Sequence, residues 1–161
     1  MLLQLESVFN TPGLSEPFRY HLPKSYDQLP FAQPPVISGE VKNHAGVVTL
    51  EGTAQVRLAA TCDRCAASFD YTADIPLRHT LVLSLNDEDR QDDYVLLDGY
   101  QFAPSDLVWE DIVLALPPKL LCSDDCQGLC HRCGANRNES PCDCKAEGDP
   151  RLAALKQLLE S

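Results

Sequence analysis

Residues 48–62 read Val48-Thr49-Leu50-Glu51-Gly52-Thr53-Ala54-Gln55-Val56-Arg57-Leu58-Ala59-Ala60-Thr61-Cys62, and this stretch decides the fold. Val48, Leu50, Ala54, Val56, Leu58, Ala60 and Cys62 share one parity, while Thr49, Glu51, Thr53, Gln55, Arg57 and Thr61 share the other. Successive side chains of a strand point to opposite faces, so the pattern is that of a half-buried strand. Gly52 breaks the series and predicts a bulge or bend. The alternation returns after Cys65 in Phe69, Tyr71, Ala73, Ile75, Leu77, Leu81, Leu83 and Leu85. Asn43-His44-Ala45-Gly46 predicts a turn before these strands and Asp63-Arg64 one between them, which gives an antiparallel meander or a partly open barrel.

Upstream, Pro12, Pro17, Pro23, Pro30, Pro34 and Pro35 interrupt any long helix or central strand, so residues 1–35 read as an irregular covering segment. Downstream, residues 86–93 form an acidic loop with the composition of a solvated surface. Residues 94–97 and 100–102 look like a last hairpin turning at Asp98-Gly99. Ser105 then predicts an N-cap, and Trp109, Ile112, Val113 and Leu116 recur at helical spacing until Pro117-Pro118 stops the helix. A short C-terminal helix is expected over residues 151–160, capped by Asp149, with Pro150 in its first turn and Leu152, Leu155 and Leu159 on one stripe. The expected class is α+β. Residues 1–118 make a β-rich core domain with a proline-rich start and one helix, and residues 119–161 a cysteine-rich, zinc-binding segment with a short helix. No repeats or low-complexity tracts are evident.

With 161 residues the chain is long enough to bury a core without disulfides. Its apolar runs fall far short of the roughly 18–20 residues a membrane span needs, and the acidic start is not that of a signal peptide. A cytoplasmic location is expected, where thiols stay reduced. The formal net charge is −11 with a pI near 4.6. Residues 1–118 hold −10 of it and residues 119–161 only −1. Such a chain is a poor ligand for naked RNA, because non-specific nucleic-acid affinity comes from Lys and Arg displacing counterions.

The cysteines are Cys62, Cys65, Cys122, Cys126, Cys130, Cys133, Cys142 and Cys144. A C-x2-C pair lets a tight turn present two thiolates to one tetrahedral zinc ion while turn N–H groups face the sulfurs. Cys130-His131-Arg132-Cys133-Gly134 has this form, with Gly134 available for a positive φ. Cys142 and Cys144 are its economical partners. Cys62, Cys65, Cys122 and Cys126 would make a second site stapling the sheet to the segment that leaves the helix. The bland alternative leaves Cys62 and Cys65 as reduced buried thiols. A redox reading of Cys62-Asp63-Arg64-Cys65 expects a helix after the motif, and strand pattern follows instead. His131 reads as an exposed residue between two ligands, and with eight thiols none of His21, His44, His79 and His131 is needed as a ligand.

The run Leu120-Leu121-Cys122-Ser123-Asp124-Asp125-Cys126-Gln127-Gly128-Leu129-Cys130-His131-Arg132-Cys133-Gly134-Ala135-Asn136, followed by Cys142-Asp143-Cys144, resembles the YceD family of large ribosomal RNA subunit accumulation proteins. Thr61-Cys62-Asp63-Arg64-Cys65 and the helix end Glu110-Asp111-Ile112-Val113-Leu114-Ala115-Leu116-Pro117 agree with it. The resemblance implies a part in accumulation or maturation of large-subunit (23S) ribosomal RNA and no known enzymatic activity. Shorter members resemble this chain at the Cys62 and Cys65 pair but lack the second cluster, which implies two separate sites.

No G-x-S-x-G, H-E-x-x-H, P-loop or Rossmann glycine pattern is present in the sequence. Asp106, Glu110 and Asp111 share the first turns of a helix, where acids ordinarily answer the dipole. The expectation is a non-catalytic factor with two Zn2+ that binds a basic ribosomal protein or an assembling pre-50S particle. A direct RNA-binding zinc module acting through Arg132, Arg137, Lys145, Arg151 and Lys156 is the second reading, and a thiol oxidoreductase the third. The residues set no oligomeric state.

Overall fold

The two alternating stretches become one long antiparallel hairpin in the computed structural model, which describes residues 2–23, 29–85, 94–140 and 142–144. In chain order the elements are β1 (Leu3–Gln4), α1 (Glu6–Asn10), β2 (Ser15–His21), β3 (Val36–His44), β4 (Val47–Thr61), β5 (Ser68–Val82), β6 (Val95–Leu96), β7 (Gln101–Phe102) and α2 (Ser105–Ala115). The main sheet runs β2-β3-β4-β5-β6, an antiparallel meander closed off by one parallel pairing, Leu81 with Val95 and Val82 with Leu96. The class is α+β as expected, with an open sheet and not a closed barrel.

Every member of the Val48 to Cys62 series is buried. So are Ile75, Leu77 and Leu81 on β5, whereas Leu83 lies past the strand end and is exposed. The β3–β4 hairpin turns through Ala45 and Gly46, both at positive φ (52° and 92°), and His44 pairs with Val47. A two-residue loop with both φ values positive matches the right-handed twist of its strands. Buried Asn43 locks this turn by accepting from the Gly46 N–H (2.9 Å) and donating to the carbonyls of Val8 and Phe9 (2.8 and 3.2 Å). Those carbonyls are among the orphan acceptors at the end of α1, so one side chain satisfies the helix and the hairpin together.

Four expectations are corrected. Gly52 makes no bulge: the β3–β4 and β4–β5 registers run through it unbroken. It faces Gly39, and a Cβ on Gly39 would come within 2.2 Å of the Glu51 carbonyl oxygen, so the paired glycines let two strands approach where side chains could not. The proline-rich start is more regular than expected, because β2 pairs along its whole length with β3, from Ser15 with Lys42 to His21 with Val36. Pro17 is tolerated there because β2 is an edge strand. Residues 94–97 and 100–102 do turn near Gly99 (φ 72°), but β6 joins β5 and β7 joins β1, so the two do not pair with each other. The helix start is set by Pro104, whose carbonyl accepts from the Val108 N–H (3.0 Å); Ser105 is already the first helical residue.

α2 buries Val108, Trp109 and Ile112 against the sheet, with Phe31 and Trp109 rings 5.5 Å apart, while Val113 faces solvent. Leu116 is extended, as the residue before a proline should be. The helix is tied to β5 by His79 Nε2 and Asp111 Oδ2 at 2.7 Å. From here the chain returns to the tip of the β4–β5 hairpin. The predicted acidic loop over 86–93 and the predicted helix over 151–160 lie outside the described residues.

Candidate metal centres

The tip of the β4–β5 hairpin is the turn Cys62-Asp63-Arg64-Cys65-Ala66-Ala67. It is closed by Cys62 N–H donating to the Ala67 carbonyl (2.8 Å) and Ala66 N–H donating to the Cys62 carbonyl (2.9 Å). Sixty-eight positions on, Cys130-His131-Arg132-Cys133-Gly134-Ala135 closes in the same way. Cys130 N–H donates to the Ala135 carbonyl (2.8 Å) and Gly134 N–H to the Cys130 carbonyl (2.8 Å). The fifth position has positive φ in both turns, 57° at Ala66 and 73° at Gly134. The flanking residues pair as well, Thr61 with Ser68 and Leu129 with Asn136. One knuckle is therefore built twice, a local repeat legible in the shared pattern Cys-x-Arg-Cys-small-Ala that the sequence reading overlooked.

Each knuckle recruits one more pair. Cys62, Cys65, Cys122 and Cys126 form one tetrad and Cys130, Cys133, Cys142 and Cys144 the other, with the four sulfurs of each all within 4.8 Å of one another. In the first tetrad Cys62 Sγ lies 3.8 Å from Cys126 Sγ and Cys65 Sγ lies 3.6 Å from Cys122 Sγ. The structure thus brings all eight predicted cysteines into the two predicted groups of four, each of which could hold a metal ion. Cys62, Cys65, Cys126 and Cys130 are buried, while Cys122 and Cys133 are exposed.

The segment after α2 is held to the first knuckle by its own backbone. Asp63 N–H donates to the Leu120 carbonyl (2.9 Å), and Asp63 Oδ2 accepts from the Leu120 N–H (2.7 Å). Arg64 Nη1 donates to the carbonyls of Cys126 (3.2 Å) and Asp124 (3.4 Å), and the Arg64 carbonyl accepts from the Leu129 N–H (2.9 Å). Gly128, at φ 70°, passes so close that a Cβ there would sit 3.0 Å from the Arg64 carbonyl oxygen. These contacts place Cys122 and Cys126 opposite Cys62 and Cys65. Neither Arg64 nor Asn138, whose Nδ2 lies 3.3 Å from Cys126 Sγ, announces itself in the sequence; Arg64 is marked only by its recurrence as Arg132 in the second knuckle.

The thiols of each tetrad are not equivalent. Burial pushes the Cys62 thiol up, but the N–H groups of Cys122, Arg64 and Cys65 aimed at its sulfur outweigh this and bring its pKa down to about 6. The N–H groups of Cys133 and Arg132 likewise bring Cys130 down to about 6. Cys122, which donates to the Cys126 and Cys65 sulfurs, is held up at about 12, as is Cys144 beside Cys133. Backbone N–H groups therefore favour one thiolate in each knuckle, with Cys122 from the segment after α2 adding its N–H at Cys62, and Cys62 and Cys130 occupy the same place in the two copies.

The fold is a β-meander bearing two four-cysteine clusters, each of which could hold a metal ion. The family described as "Large ribosomal RNA subunit accumulation protein YceD" matches residues 50–159, and the chain belongs to that family. Searches of curated proteins and of solved structures find no match. Among the described residues, no helix is long and apolar enough to cross a membrane.

Proposed function

We propose that the protein is a cytoplasmic, non-catalytic factor with two zinc ions, supporting accumulation or maturation of large-subunit (23S) ribosomal RNA by binding a basic ribosomal protein or an assembling pre-50S particle. The observation that carries the zinc reading is the sulfur geometry. Zn–S bonds of about 2.3 Å in a tetrahedron set sulfurs about 3.8 Å apart, and the two close S···S distances of the first tetrad are 3.6 and 3.8 Å. All eight thiols are the metal's ligands in this reading, Cys62, Cys65, Cys122 and Cys126 for one ion and Cys130, Cys133, Cys142 and Cys144 for the other. Four thiolates fill the coordination sphere and leave no position for a reactive water, which favours a structural metal over a hydrolytic one. A thiol oxidoreductase is disfavoured because Cys62 and Cys65 sit on a hairpin tip followed by β5, where among the described residues no helix N-terminus serves the sulfurs.

The family gives the ribosomal context, and the charge of −11 favours a basic protein surface over bare RNA. Metal analysis of protein purified without added metal should find two zinc ions per chain. In low-salt pull-downs the protein should retain large-subunit particles or ribosomal proteins. Reversing Asp87, Glu88, Asp89, Asp92 and Asp93 to lysine should weaken that association while zinc content stays constant. Retention unaffected by that reversal, but abolished by Arg132→Glu with Arg137→Glu, would replace the protein partner with direct rRNA contact.

A further inference from the structure

The loop closed by the second tetrad reaches back to the first. Asn138 lies between Cys133 and Cys142, and its Nδ2 donates toward Cys126 Sγ at 3.3 Å. Its Oδ1 accepts from the Gln127 N–H (2.7 Å), the residue beside that cysteine. Asn136 steadies it by accepting, at Oδ1, from the Asn138 N–H (3.1 Å) and from Asn138 Nδ2 (2.9 Å), while Asn136 Nδ2 donates to Glu139 Oε1 (2.8 Å). The Arg137 N–H donates to the Gly128 carbonyl (3.0 Å). The loop of one centre is thus strapped across residues 126–128 of the other.

We propose that Asn138 is a positioning residue that makes the two metal centres cooperative, the filled second tetrad fixing the amide that supports Cys126 in the first. The proposal rests on the zinc reading above. Four thiolates around Zn2+ carry a net charge of −2, and an N–H donated to one sulfur spreads that charge where water is excluded; Cys126 is only 4% exposed. With the second tetrad empty, the loop between Cys133 and Cys142 loses its closure and Asn138 loses its aim. Outer hydrogen-bond partners of metal ligands are worth about 10- to 100-fold in affinity. Coupling between two binding events is reciprocal, so a filled first centre tightens the second by the same factor.

The test is residue-resolved alkylation of the zinc-loaded full chain at rising chelator concentration, which reports each tetrad by its own cysteines. Asn138→Asp keeps an acceptor for the Gln127 N–H but sets a carboxylate oxygen against the Cys126 thiolate. It should expose Cys62, Cys65, Cys122 and Cys126 at roughly tenfold less chelator. Asn138→Ala, which removes both contacts without adding charge, should shift them less in the same direction. Cys142→Ser, which empties the second tetrad, should also expose the first early, and combining it with Asn138→Ala should add nothing further. Unchanged protection of the first tetrad in Asn138→Asp, or additive losses in the double variant, would overturn the coupling while leaving two zinc centres standing. Purified wild-type protein without zinc would overturn the metal reading and the coupling with it.

Discussion

Cys62 and Cys130 stand at equivalent positions of the two knuckles, and backbone N–H groups, of the turn and at Cys62 also of Cys122, hold each pKa at about 6. Cys122 and Cys144 stand at the other extreme, near 12. At pH 7 the first two are mostly thiolates before any metal arrives, whereas the last two still carry protons. Metal loading must displace the remaining protons, so zinc uptake at pH 7 should release fewer than four protons per ion. Below pH 6 the count should climb toward four, and affinity should fall as protons compete for the sulfurs. Calorimetric titration of the metal-free protein with Zn2+, in buffers of different ionisation enthalpy, measures the count; four per ion at pH 7 would show that the turns do not prepare a thiolate.

β4 and β5 owe their length to uninterrupted alternation, and their register to the fact that a one-residue slip would turn Leu50, Leu58, Ile75 and Leu77 toward water. The Gly39–Gly52 pair is a second constraint on the same sheet. Gly39→Ala would put a methyl group against the Glu51 carbonyl oxygen and force β3 and β4 apart. Overpacking of this kind costs about 1–3 kcal/mol, and backbone is harder to move than a side chain. Urea unfolding of Gly39→Ala should therefore show a loss of about 2 kcal/mol or more. A change near zero would mean that the sheet opens freely at this crossing.

The apolar core and the cysteine centres occupy different ends of the molecule. The main core joins the sheet to α1 and α2, and Cys62, Cys65 and Cys126 form a separate small cluster with Ala67, Phe69 and Leu121. The first centre joins residues 64 positions apart, Cys62 and Cys126, whereas Cys130 to Cys144 closes a local loop. Metal-binding energy becomes folding energy where it organises the chain, and closing a longer loop contributes somewhat more. Cys62→Ser should thus lower the thermal midpoint of the whole domain, and Cys133→Ser should mainly open the loop of the second centre. Equal losses of midpoint would show that the second centre is part of the core.

At this scale the sequence by itself determined the α+β class, the β4–β5 hairpin, its turns and the grouping of eight cysteines into two fours. Strand period and ligand spacing are local properties, written within a few residues of one another. Only the tertiary structure decided where β2, β6 and β7 pair, that Gly52 admits a neighbouring strand in place of a bulge, that Arg64 holds the carbonyls of Asp124 and Cys126, and that Asn138 serves the Cys126 sulfur. Those choices depend on which backbone groups and side chains meet after the chain has returned from α2 to the hairpin tip, and no local pattern encodes a contact that chain reversal creates.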